Sequence, residues 1–496
     1  MRLYVINNQL KLSIKFIIYF SLIFISMNSY AIGNENANKN LLLTLEQAVS
    51  LAIKKNPDLV ISKLERINDK YAVLVQKHNF EPSYSYGTIA ATYFPDNNNE
   101  QLQEITANPN VTLNNVYGTK FTVGGNFNSP DSKNLNSQLT LEVLQPLIRG
   151  FGKDVVLADL CNALDSEEIK KLTFSNTVID TINSVIRAYL SIIQALQTLK
   201  IDQENLKVLE KTVENDQVEI DVGRMAKNEI YQARANAASA HASVQNDINA
   251  VNSAKLQMID FLGLSADTKL IIPEKINLNE IIRIFLGGKY DVIAIDKFKK
   301  LSLENNIDYK TSGLTLKTAK RNLIVAEDKK NWELNLDIEK NVDMNGNNND
   351  NTNFKDGILE QASVGLSLNI PVDDVNFKAS ITHAKIAVQE AEIRYQQQKQ
   401  RIEEDAENKY NTLISSRAQA KLQEEAALMQ RKNIEAAKIK YSLGRISTFE
   451  FLQTQKEVFN VEQALINSKI NYISTLMDYD KTLGTTLQNW GIKIKE

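Results

Sequence analysis

Two periodicities divide the chain. In NWELNLDIEK, Trp332, Leu334, Leu336 and Ile338 alternate with Glu333, Asn335, Asp337 and Glu339. ASVGLSLNIP does the same through Val364, Leu366, Leu368 and Ile370. Earlier, KFTVGGNF and QLTLEVLQP alternate through Phe121, Val123 and Phe127, then Leu139, Leu141 and Val143. SYSYGTIAATYF is a weaker case, carried by Tyr84 and Tyr86. A period of two puts successive side chains on opposite faces, so these segments are predicted strands. Long Asn-rich loops are predicted between them, at 95–104, 128–138 and 341–353.

Elsewhere the period is helical. In LTLEQAVSLAIKKNPDL, Thr44 followed by Glu46 and Gln47 signals a helix start, and Asn56-Pro57 breaks that helix. A second helical run follows from Asp58 to about Lys77. No proline or glycine interrupts Lys153 to Val222, where Val178, Ile182, Val185, Tyr189, Ile192, Leu196 and Leu199 step by four and three. That spacing is a coiled-coil seam. Ile179, Ile186, Leu190 and Ile193 add a second line, so this helix has two neighbours. At ~1.5 Å per residue it would reach roughly 100 Å. Asn376 to Leu443 is a second uninterrupted helix of similar length.

The turns after the two long helices are copies of each other. VGRMAKNEIYQAR (222–234) aligns with LGRISTFEFLQTQ (443–455): Gly223 with Gly444, Arg224 with Arg445, Glu229 with Glu450 and Gln232 with Gln453. The offset is 221 residues (444 − 223), and it also carries Leu262-Gly263 onto Leu483-Gly484. Return helices are predicted at about 224–262 and 445–483, and shorter helices precede each strand region, at 44–79 and about 291–330. The chain is thus a tandem repeat of short helix, strands, long helix, turn and short helix. The expected divisions are a first repeat over 32–265, a linker over 266–290, a second repeat over 291–484 and a tail over 485–496.

Composition narrows the class. The net charge is −3 and no basic cluster stands out, which excludes a nucleic-acid binder. Cys161 is the only cysteine, so there is no disulfide framework, and on a long helix without activating neighbours it is expected to be inert. His78, His241 and His383 share no metal-ligand spacing, and GGNFNS and FLGGK lack the Lys-Ser/Thr of a phosphate loop. No nucleophile–base pattern occurs, so neither an enzyme nor a cofactor is expected. Residues 1–31 carry basic Arg2, Lys11 and Lys15, the apolar run FIIYFSLIFISM and a Ser-Tyr-Ala ending. That is the pattern of a cleaved export signal, and the run is shorter than the ~20 residues of a spanning helix.

An export signal, two-faced strands and Asn-rich loops suggest an outer-membrane β-barrel. Two or three strand pairs fall short of the eight strands of the smallest closed barrel, so several chains must close it together. The sequence resembles the TolC-like outer-membrane efflux proteins over nearly the whole mature chain. The resemblance rests on LTLEQAVSLAIKKNPDL, LQPLIRGFGK (144–153), NIPVDDVNFKASI (369–381) and above all the two tip turns. It implies an α+β fold: a homotrimeric outer-membrane β-barrel continued by a periplasmic α-helical coiled-coil barrel. It further implies docking to a periplasmic adaptor and an inner-membrane transporter, in drug efflux, metal efflux or type I secretion. The turns then lie at the periplasmic tip, Gly223 and Gly444 forming the reversals and the docking surface.

In that family, acids just after the turn ring the entrance. The matching residues are Glu229 and Glu450, with Gln232 and Gln453 where a second acid can stand, and Arg224 and Arg445 as candidate counter-charges. Converging carboxylates would favour cations and repel one another. The plainer reading of these acids is a solvated first turn favoured by the helix dipole. The first strand region, 81–145, is longer than its partner, 331–371, and VTLNNVYGTKFTVGGNF (111–127) has the pattern of an additional hairpin, inside the barrel wall or outside it. The rival to the duct is a soluble periplasmic coiled-coil protein, structural or adaptor-like. An adaptor would have a single helical hairpin, whereas this chain has two.

Overall fold

The computed structural model describes residues 40–87, 89–94, 102–129, 136–228, 230–273, 278–286, 292–343, 362–372 and 374–492. The export signal expected over 1–31 lies outside the described residues, as do Glu229 and the centres of the Asn-rich loops.

One antiparallel sheet occupies one end. Its strands are β2 (Ser83–Ser85), β3 (Ile89–Phe94), β4 (Leu102–Ala107), β5 (Asn110–Asn114), β6 (Lys120–Ser129), β7 (Asn136–Pro146), β9 (Glu333–Asp343) and β10 (Ala362–Asn369). β2 and β3 lie against β5 and β4, which both pair with β6; then come β7, β9 and β10. The eight segments therefore fill six strand positions. The Gly125 N–H donates to the Pro109 carbonyl at 2.7 Å, carrying the ladder across the break between β4 and β5. The strands run further into the Asn-rich segments than the sequence predicts. Polar side chains pair across the sheet and along it, Thr140 Oγ1 donating to Asn341 Oδ1 on the neighbouring strand at 2.7 Å and Asn341 Nδ2 to Glu339 Oε1 on its own strand at 2.8 Å.

The helices pack side by side, each against antiparallel neighbours. α1 (Leu45–Lys55) begins with a capping box: the Gln47 N–H donates to Thr44 Oγ1 while Gln47 Oε1 accepts from the Thr44 N–H. α2 (Pro57–His78) follows with Asn56 as its N-cap. A one-turn helix, α3 (Lys153–Val156), leads into α4 (Ala158–Asp221), which the sequence had continuous through Leu157. α4 packs against both α2 and the return helix α5 (Ile230–Phe261). The second half repeats this with α7 (Ile295–Asn305), α8 (Ile307–Asp328), α9 (Val375–Ser442) and α10 (Thr448–Leu483). Among the described residues, no helix is long and apolar enough to cross a membrane.

Short helices meet end to end through an asparagine at each junction. Asn56 Nδ2 donates to the Phe261 carbonyl at 2.8 Å, and Asn305 Nδ2 to the Leu483 carbonyl at 2.6 Å. Gly263 is required at the first junction, since a Cβ there would sit 2.7 Å from the Lys55 carbonyl oxygen. The core lies at these junctions. It contains most of both predicted seams of α4, with Ile182, Ile186 and Ile192 wholly buried and Leu196 packed at the margin, while Ile179 and Leu199 lie outside it. Phe298 stacks on Tyr479 with ring centres 4.5 Å apart. A belt surrounds it: β1 (Asn40–Leu42) pairs in parallel with β8 (Lys269–Ile271), and α6 (Leu278–Leu286) and the terminal turn α11 (Thr486–Asn489) pack on α10.

Candidate functional site at the hairpin tips

The Gly-Arg repeats end the long helices in the same way. The Gly223 N–H donates to the Ile220 carbonyl and the Arg224 N–H to Glu219; the Gly444 N–H donates to Tyr441 and the Arg445 N–H to Lys440. These are Schellman closures, which satisfy the last carbonyls and need a left-handed residue. Gly223 has φ 79° and Gly444 φ 66°. This requirement explains the glycine at both turns.

The return helices differ. α10 starts at Thr448, where Ser447 Oγ accepts the Glu450 N–H at 3.2 Å. α5 starts only at Ile230. Ala226 stands where Ser447 stands in the other copy (447 − 221) and has no oxygen to cap with, so the first turn is wider than the predicted start at 224. Phe451 and Leu452 turn inward, leaving Glu450 and Gln453 exposed. Gln232 is exposed on α5, its Nε2 donating to Asn236 Oδ1 at 3.2 Å. Arg224 reaches Glu219 at 3.9 Å, both exposed. Among the described residues no ion pair joins Arg445 to Glu450.

A cluster absent from the sequence reading joins the two tips. Asp216, on the last turns of α4, is 1% exposed. Its Oδ1 accepts from the Tyr441 hydroxyl at 2.8 Å and from Thr448 Oγ1 at 3.3 Å. The Tyr441 ring stacks on Phe451, centres 4.7 Å apart. Burial, and the Asp216 carboxylate beside it, push the Tyr441 hydroxyl up to about 12. One signal was present in the sequence: an acid near a helix C-terminus opposes the dipole and needs a local partner. Farther along the same hairpin, Asp247 on α5 lies beside Asp202 on α4. Burial, then the neighbouring carboxylate, raises Asp247 to about 6.

His78 pairs with Glu81 at 2.9 Å and His241 with Glu210 at 3.0 Å, both on the surface. Cys161 is half-buried on α4.

Residues 300–485 match the family model of the outer membrane efflux protein. That match identifies residues 300–485 with the outer membrane efflux protein family. Its fold is shared with CusC, at 13% identity and a TM-score of 0.65 over 92% of this chain and 95% of that one. It is shared likewise with the outer membrane protein VceC of Vibrio cholerae, at 15% identity and 0.65 over 89% and 96%. The CmeC outer membrane channel of Campylobacter jejuni gives 14% identity and 0.62 over 93% and 91%. No curated protein sequence matches the chain. Several of the solved structures that share its fold are described as outer-membrane channels.

Proposed function

We propose that three copies of the chain form the exit duct of a tripartite efflux or type I secretion system. The duct receives cargo from an inner-membrane transporter through a periplasmic adaptor that docks on the Gly223 and Gly444 turns. The observation that carries this reading is a two-faced sheet whose two edges are unpaired among the described residues, seated on helices of 64 and 68 residues. At ~1.5 Å per residue these helices are about 100 Å long. Apolar side chains stand exposed at the sheet edges, Leu366 at 69% and Tyr84 at 77%. An open edge in lipid is costly, so copies joined edge to edge are favoured. A stripe along α2, through Val60, Leu64, Ile67, Tyr71 and Leu74, is also 41–62% exposed and suits a neighbouring copy's helix.

The two repeats, 32–265 and 291–484, then supply two tips per chain and six around the mouth. Glu229 and Glu450 ring the entrance, with Gln232 and Gln453 one turn deeper. The exposed Glu450 and Gln453 share one side of α10, three residues apart, which supports a common facing. Arg224 and Arg445 stand at the rim and moderate the repulsion. Planar-bilayer recording tests this reading. The purified protein should give discrete conductance steps, and Glu229→Ala with Glu450→Ala should lower its preference for cations over anions. Absence of steps, or an unchanged ion preference, would overturn the duct or the gate respectively.

A further inference from the structure

The first repeat contributes four strand positions to the sheet and the second contributes two. The excess is the segment from β4 to β6, which includes the hairpin β5–β6. The residues on that hairpin tell whether it belongs to the wall. Register places Ser83, Thr112, Thr122, Glu142, Glu339 and Ser363 in one row across all six positions. Every member is polar. The next row toward the helices, on the opposite face, runs Leu113, Phe121, Val143, Ile338 and Val364, and every member is apolar. The hairpin therefore keeps the same polar and apolar faces, in the same register, as the strands of both repeats.

Its turn is also fixed to the rim. The Gly118 N–H donates to the Asn115 carbonyl at 2.9 Å, the Gly152 N–H to the Tyr117 carbonyl at 3.3 Å, and Lys153 Nζ lies 5.1 Å from the Tyr117 ring centre. A Cβ on Gly118 would stand 2.4 Å from the Gly150 carbonyl oxygen. The tight turn thus sits against the strand-to-helix junction at 148–153, on the helical side of the sheet. A flap outside the wall would need neither a continuous apolar face nor this seat.

We propose that β5 and β6 are membrane-wall strands, with Phe121 and Val123 facing lipid and Thr112, Thr122 and Glu142 facing the lumen. This rests on the three-copy duct proposed above. Three chains of six strand positions then close a barrel of eighteen strands. With strands about 4.8 Å apart and tilted about 40°, that barrel is about 35 Å across its backbone, against about 24 Å for a wall of twelve. The lumen cross-section is about twice as large, and Glu142 and Glu339, side by side in the polar row, line it.

The test is spin labelling of the full-length protein in lipid nanodiscs, in a Cys161→Ser background. Phe121→Cys, Thr122→Cys and Val123→Cys are compared with Leu141→Cys and Glu142→Cys on β7. The expected result is high oxygen and low water-soluble chelate access at 121, 123 and 141, reversed at 122 and 142. Alternation on β7 with uniform water access on β6 would overturn the wide wall and leave the duct standing. Loss of alternation on both strands would overturn the duct as well. Electron cryomicroscopy of the unmodified protein gives an independent count: eighteen strands support the inference, and twelve contradict it.

Discussion

Tyr441 and Asp216 show how one buried carboxylate can hold two distant hairpins together. A neutral hydroxyl donating to a buried carboxylate is worth about 1.5–3 kcal/mol. Tyr441→Phe keeps the stack on Phe451 and removes only the donor. It should lower stability by about that amount in a chemical melt and raise open-channel conductance by loosening the tips. Unchanged values for both would deny the pair a role. The pH dependence follows from the direction of the shift. The Tyr441 hydroxyl is raised from 10 to about 12, so its contribution is full below pH 10 and lost as pH rises through 12. Asp247, raised to about 6, follows the same sign: the folded hairpin favours its protonated form, and that contribution is lost as pH rises from about 4 through 6. Between pH 5 and 7 the melting temperature of the wild type should fall relative to that of Asp247→Asn. A constant difference between the two proteins would contradict the pairing with Asp202.

At the scale of the elements, the asparagine junctions set where each short helix stops and the next begins. Asn56 caps α2 through the Leu59 N–H at 3.1 Å while holding the Phe261 carbonyl. Asn56→Ala loses both contacts and should cost about 1–2 kcal/mol, read as a lower denaturation midpoint. Gly444→Ala has open space for its methyl but must take a left-handed conformation, so a cost of about 1 kcal/mol is expected at the tip, visible as faster hydrogen exchange there.

Much of this layer was legible because it rests on local chemistry. The Thr44 capping box, the Asn56-Pro57 break, the α4 seams and the strand alternation each follow from neighbours within one or two turns. The Asp216–Tyr441 contact joins residues 225 apart, and no local pattern in one sequence pairs them. The late start of α5 turned on a missing cap oxygen at Ala226, which the strength of the duplication concealed. The strands exceeded their predicted ends because Asn, a loop former by propensity, is accommodated on a polar face where its amide finds partners.

At the scale of the whole molecule, the described chain is half of an argument that other copies complete. Its sheet has two open edges, its α2 stripe faces solvent, and its two hairpins end in matched turns. The open edges and the exposed stripe are costly in a lone chain, and the proposed three-fold assembly would relieve both. Electron microscopy of the detergent-extracted, purified protein tests that claim most directly. The account predicts three-fold tapered tubes with an axial channel, a barrel at one end and six hairpin tips at the other, about 100 Å or more long. Isolated rods, or particles without an axial channel, would contradict it.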